Sequence, residues 1–169
     1  MPRTKRPPEW ERLKLRVQPT PRNNWGDNLA HLLYKDIWDK LRREVYKKAD
    51  YRCEICGTTQ VVFHCHENWG FNEAKRLQFL VSLQCLCPEC HNTIHYYRTM
   101  AEARKGNYPL KYLDELEEHF CWVNGVDKAE WLKHLNSKSY LMQIRNDRKY
   151  KIDYKQYSIE NITRIYSNG

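Results

Sequence analysis

Two CxxC units constrain this chain more than any other feature. Cys53-x-x-Cys56 and Cys87-x-x-Cys90 stand thirty residues apart. A thiolate pair at this spacing chelates one ion through a tight turn. Two such pairs make a closed tetrahedral site, with zinc–sulfur bonds of about 2.3 Å. The second pair falls at the start of a predicted helix, where the partial positive charge of the N-terminus favours thiolates. In a reducing compartment the pattern reads as structural zinc, with iron or a redox pair as the alternatives. A metal is useful here because a hairpin and one helix bury too little apolar surface to hold together unaided. Of the other cysteines, Cys85 and Cys121 read as small buried side chains. Cys65 stands among histidines and is treated with them.

The elements around the cysteines follow from periodicity. Asp36 caps a helix running to about Ala49, with Ile37, Trp38, Leu41 and Val45 on one face. Val61–Glu67 reads as a strand, Trp69–Asn72 as a loop, and residues 77–85 as a second strand pairing antiparallel with the first. Leu77, Phe79, Val81, Leu83 and Cys85 are expected on its apolar face, a pattern that Leu80 breaks. Pro88 opens a helix expected to end near Gly106. Further helices are predicted over Pro109–Val123 and from Asp127 onward. The tail from Tyr150 reads either as a short strand or as a segment packed on the body.

At 169 residues the chain is on the scale of one domain, roughly 100–200 residues. Apolar runs such as Phe79-Leu80-Val81 fall far short of the ~20 residues a membrane span needs. The basic start Met-Pro-Arg-Thr-Lys-Arg-Pro-Pro has no apolar stretch after it, so a secretory signal is not expected. A cytoplasmic protein without a membrane partner is the expectation. Net charge is +8, and it concentrates at the two ends, whereas residues 107–127 are acidic. A polyanion is the natural partner, and nucleic acid the commonest one. Lys5, Arg6, Arg12, Lys14 and Arg16 on a proline-rich arm, with Arg42, Arg43, Lys47 and Lys48 on the first helix, are the candidate phosphate contacts. They predict steep salt dependence without sequence choice. Trp25 and Trp69 read as anchors for arm and loop rather than as stacking platforms.

His91 and His95 lie four apart on the helix opened by Pro88, so both imidazoles share one face and can bind one ion. His64, Cys65 and His66 lie on the first strand, which the hairpin brings back against that helix. This arrangement resembles the HNH endonucleases, the ββα-metal nucleases, over residues 51–96. A CxxC precedes a His-bearing strand, and Leu86-Cys87-x-x-Cys90-His91-x-x-x-His95 follows the hairpin. A wider likeness to bacterial HNH proteins takes in Asn24-Trp25-Gly26-Asp27-Asn28-Leu29, Cys65-His66-Glu67-Asn68-Trp69 and Val123-Asn124-Gly125.

The resemblance implies an α+β fold: a zinc-stapled, treble-clef-like ββα-metal core flanked by α-helices. Residues 1–28 would be an extended basic arm ordered only by docking, 29–106 the nuclease core with its preceding helix, and 107–169 a helical extension packed on it. It also implies roles: His66 as general base, His91 and His95 as ligands of a catalytic divalent metal, and Cys65 or His64 as the third ligand. Ser82 stands where the family has an asparagine that orients the base. The implied activity is hydrolysis of DNA phosphodiester bonds, by nicking or double-strand cleavage, and a single active site suggests one nick per protomer and a double cut only from a pair. The catalytic metal is left open among Mg2+, Mn2+, Ni2+, Co2+ and Zn2+, although a His-rich shell favours the softer ions. The alternatives are a catalytically weak or inactive zinc-binding nucleic-acid module, and an interaction subunit recruiting a partner through the acidic helix.

Overall fold

The computed structural model describes residues 12–167. The chain builds an α+β fold around one small sheet. In chain order it forms α1 (Leu29–Leu32), α2 (Lys35–Lys48), β1 (His64–Asn72), β2 (Leu77–Leu86), α3 (Pro88–Ile94), α4 (Tyr96–Arg104), α5 (Lys111–Asn124), α6 (Lys128–Asn146), β3 (Lys151–Asp153) and α7 (Ile159–Ser167). The sheet order is β1-β2-β3, with β1 antiparallel and β3 parallel to β2. β1 is therefore an edge strand. Among the described residues no helix is long and apolar enough to cross a membrane.

Several elements differ from expectation, each for a local reason. β1 runs on through the expected loop at 69–72, because its pairing with β2 continues to Asn72↔Leu77. The register shifts between Asn68 and Trp69, where Ser82 and then Leu80 are the partners and Val81 is left over. One extra residue in a strand exchanges the faces beyond it. Hence Gln78 and Leu80 are buried on the face expected to be polar, and Val81 is exposed. The Leu80 anomaly in the sequence is the trace of this bulge. The single helix expected over 88–106 is two, joined at His95, whose ψ of 32° departs from helical geometry.

From residue 12 on, the segment expected to be an arm ordered only by docking packs into the body, and its first eleven residues lie outside the described residues. Leu13, Leu15 and Val17 alternate into the core while Lys14 and Arg16 stay exposed. They join Leu86, Ile94, Leu116, Phe120 and Trp131 around the cysteines. Asn124 serves as a substitute strand for the segment, accepting from Leu15 N–H at 3.0 Å and donating to its carbonyl at 2.9 Å. A second cluster, with Leu29, Leu33, Ile37, Leu41, Trp69, Leu80 and Ile162, lies between α2 and the opposite sheet face. α5 packs on α3 and α7 on α2, so the chain beyond residue 107 braces both sides of the hairpin–helix unit. Asp127 caps α6 by accepting from Glu130 N–H at 2.9 Å, and Gly125 ends α5 in the left-handed conformation at φ 62°.

Candidate metal centre

Two clusters of metal-capable side chains sit at opposite ends of α3. At its N-terminus the thiols of Cys53, Cys56, Cys87 and Cys90 lie within 4.8 Å of one another. The Cys56 and Cys87 sulfurs are 3.6 Å apart, close to the ~3.8 Å edge of a tetrahedron with ~2.3 Å bonds. The turn after α2 supplies the first pair. Cys87 is the N-cap of α3, accepting from Cys90 N–H at 3.4 Å, and Pro88 fills the first helical position. Thiols this close do not ionise independently: hydrogen bonds from Cys87 and Cys90 pull Cys53 down, while contact with Cys53 pushes Cys87 and Cys90 up. Four cysteines placed this way can hold a metal ion such as zinc. His119 on α5, which the sequence reading missed, brings Nε2 to 3.1 Å from the Cys90 sulfur. Only the packing of α5 on α3 places it there.

One helical turn further on, His66, His91 and His95 bring a ring nitrogen each within 4.8 Å of the others. Their ring centroids are 5.6 Å (66–91), 4.9 Å (66–95) and 4.8 Å (91–95) apart. Burial depresses all three, His66 to about 3, and the Arg98 charge adds to it. The imidazoles are therefore neutral at neutral pH, with lone pairs available. His66 is 1% exposed, and Nδ1 of both His66 and His91 is buried with no hydrogen-bond partner. Orphaned nitrogens among neutral imidazoles fit a divalent cation of the Mn-to-Zn series better than magnesium.

Strand alternation settles which residues join this cluster. Side chains of β1 point to opposite faces in turn, and His66 faces α3. Here the geometry departs from the implied roles: His66, expected as general base, is the third member of the metal-capable set. Cys65, expected as a candidate ligand, lies on the other face opposite Cys85, its thiol raised to about 12 by burial, then by Glu67 and Cys85. His64 stacks on His91 at 4.6 Å and 17° but stands outside the set. Ser82 meets Asn68 Nδ2 at 3.5 Å rather than any histidine.

A cavity of about 520 Å³ opens along the free edge of β1, where side chains from both sheet faces converge. His64, His91, His95 and Arg98 line it together with Cys65 and Glu67. Glu67 was not singled out from the sequence. Its Oε1 accepts from Leu29 N–H at 2.7 Å, and its Oε2 is buried without a partner. Burial raises the carboxyl to about 7, against the pull of the Leu29 hydrogen bond. Arg98 was also missed, although residues 91, 95 and 98 follow the i, i+4, i+7 spacing of one helix face.

The expected phosphate contacts divide. Lys5 and Arg6 lie outside the described residues. Arg12 pairs with Glu130 at 3.1 Å. Arg42 binds Asp39 at 2.8 Å and lines the cavity, whereas Arg43, Lys47 and Lys48 are exposed on α2. Lys14 and Arg16 line a second cavity of about 390 Å³ that His66 also borders. Compared with models of known families, with curated proteins and with solved structures, the chain finds no match.

Proposed function

We propose that this protein is a metal-dependent endonuclease of the HNH type that hydrolyses DNA phosphodiester bonds. The observation carrying the reading is the convergence of His66, His91 and His95 beside a cavity that Arg98 and Glu67 also line, with Oε2 of Glu67 buried and unpartnered at its edge. The hairpin–helix unit that aims these groups is stapled by four cysteines suited to zinc. His66, His91 and His95 would hold a divalent cation, which when bound would supply positive charge to the phosphoryl oxygens and the departing oxygen. Arg98 adds a permanent cation for the scissile phosphate. Glu67 takes the proton of the attacking water: its Oε1 is anchored on Leu29 and its Oε2 is unengaged. Exposed Arg43, Lys47 and Lys48, with Lys14 and Arg16, hold the flanking backbone.

A nucleic-acid-binding module without cleavage is the second reading, and Ser82 is what favours it, since it stands where the family has an asparagine and its hydroxyl meets Asn68 rather than a histidine. Plasmid nicking across a metal panel separates the two. The nuclease reading expects nicking with manganese, nickel, cobalt or zinc, abolished in His91→Ala, and reduced ~10²–10⁴-fold in Glu67→Gln with its melt and cysteine-bound metal unchanged. Binding without nicking in every metal overturns it.

A further inference from the structure

We infer that the cavity along β1 takes an unpaired nucleotide, so that the substrate is single-stranded DNA rather than continuous duplex. The inference rests on the nuclease reading only for its cleavage arm. The cavity lining divides into two chemistries. Trp25, Trp38, Tyr46 and Phe63 give it an aromatic wall, and Trp69 lies behind it, buried in the core between α2 and the sheet. Asn24, Asp27, Asn28 and Asp39 add amide and carboxylate groups that suit the polar edge of a base, and the two carboxylates disfavour a phosphate. Arg98 and the histidines are the part that suits a phosphate, whereas the cavity's other cations, Lys35 and Arg42, are paired with Asp39 at 2.8 Å each.

The wall is held in place before any ligand arrives. The Trp25 indole N–H donates to the Thr20 carbonyl at 2.9 Å, and the Trp69 ring stands edge-on to Tyr154 at 5.7 Å. Asp39 is fixed by Lys35 and Arg42, each at 2.8 Å. The docked segment supplies Thr20, Asn24, Trp25, Asp27 and Asn28, and α2 supplies Trp38, Asp39, Arg42 and Tyr46. Access to the histidines from this side therefore lies between two walls. A stacked duplex offers no base face to such a recess. A base must leave its stack to enter, and the cost is least where it is already unpaired. Aromatic walls then bind it with little sequence preference, because every base has a π-face.

The test measures binding by tryptophan fluorescence on the full chain with its metal as purified. Three probes of equal length are compared: a mixed-sequence single strand, the same sequence as a duplex, and an abasic phosphodiester strand. The single strand is expected to bind at least ~10-fold more tightly than either of the others and to quench fluorescence. Trp38→Ala is expected to remove that preference. Because Trp38 also packs on the core, Asp39→Asn, on the rim, provides a second variant and is expected to weaken single-strand binding without moving the melt. Equal affinity for single strand and duplex, or for based and abasic strands, overturns the inference. Equal cutting of both forms in manganese overturns it while leaving the nuclease reading standing. A binding preference with no cutting in any metal overturns the nuclease reading and leaves the cavity assignment intact.

Discussion

Truncating Leu15 to alanine tests whether the N-terminal segment is a structural part of the body. Leu15 is 0% exposed and lies among Leu86, Ile94, Leu116, Phe120 and Trp131. The substitution deletes three carbon atoms from this contact. At about 0.8 kcal/mol for each buried carbon, the transfer term is about 2.4 kcal/mol. The void left against aromatic neighbours that cannot fully collapse adds to it, giving about 3–5 kcal/mol in total. The backbone of residue 15 keeps both hydrogen bonds to Asn124, so the loss reports side-chain packing alone. Urea unfolding of the zinc-replete protein measures it as a fall in midpoint of about 1–5 M at ordinary slopes. A loss under 1 kcal/mol would refute the docking of residues 13–17 into the core, and with it the segment that walls the β1 cavity. Lys14→Ala is the matched control, exposed on the same segment and expected to shift stability by no more than ~0.5 kcal/mol.

Three further outcomes are expected. Cys53→Ser loses the metal bound by the four cysteines and the cooperative melt of the hairpin–helix unit; one equivalent of zinc retained by elemental analysis, with an unchanged melt, would contradict the site. Glu73→Gln costs about 0.5–1.5 kcal/mol once solvent screening of this part-exposed carboxylate is counted, because Glu73 accepts from Arg145 at 2.9 Å and from Tyr150 and also pairs with Arg148. Burial works to raise that carboxyl, but these partners hold it below its ordinary value, so its contribution is complete at neutral pH and is lost as pH falls through the folded-state value; acid unfolding curves of Glu73→Gln that keep the wild-type slope below pH 4.5 would count against this. DNA affinity should fall steeply from ~50 to ~200 mM salt, and a flat log–log plot would remove the exposed cations of α2 as backbone contacts.

What the sequence determines by itself is whatever depends on near neighbours. CxxC spacing puts two thiols on one turn, the i, i+4 spacing puts His91 and His95 on one face, and Pro88, Asp127 and Gly125 mark helix ends through their own backbone chemistry. The antiparallel hairpin is legible for the same reason. What only the tertiary structure decides is phase and convergence. A strand has a period of two, so a shift of one residue exchanges its faces, and nothing local to Cys65-His66-Glu67 says which of the three meets α3. Pairing with β2 places His66 with the helix histidines and Glu67 at the cavity edge, and the bulge at Val81 buries Gln78 and Leu80. The Leu13-x-Leu15-x-Val17 alternation lies in the sequence, but its burial depends on Leu116, Phe120 and Trp131, about a hundred residues away. Long-range packing likewise brings His119 to Cys90, because a contact between distant segments has no local periodicity to announce it.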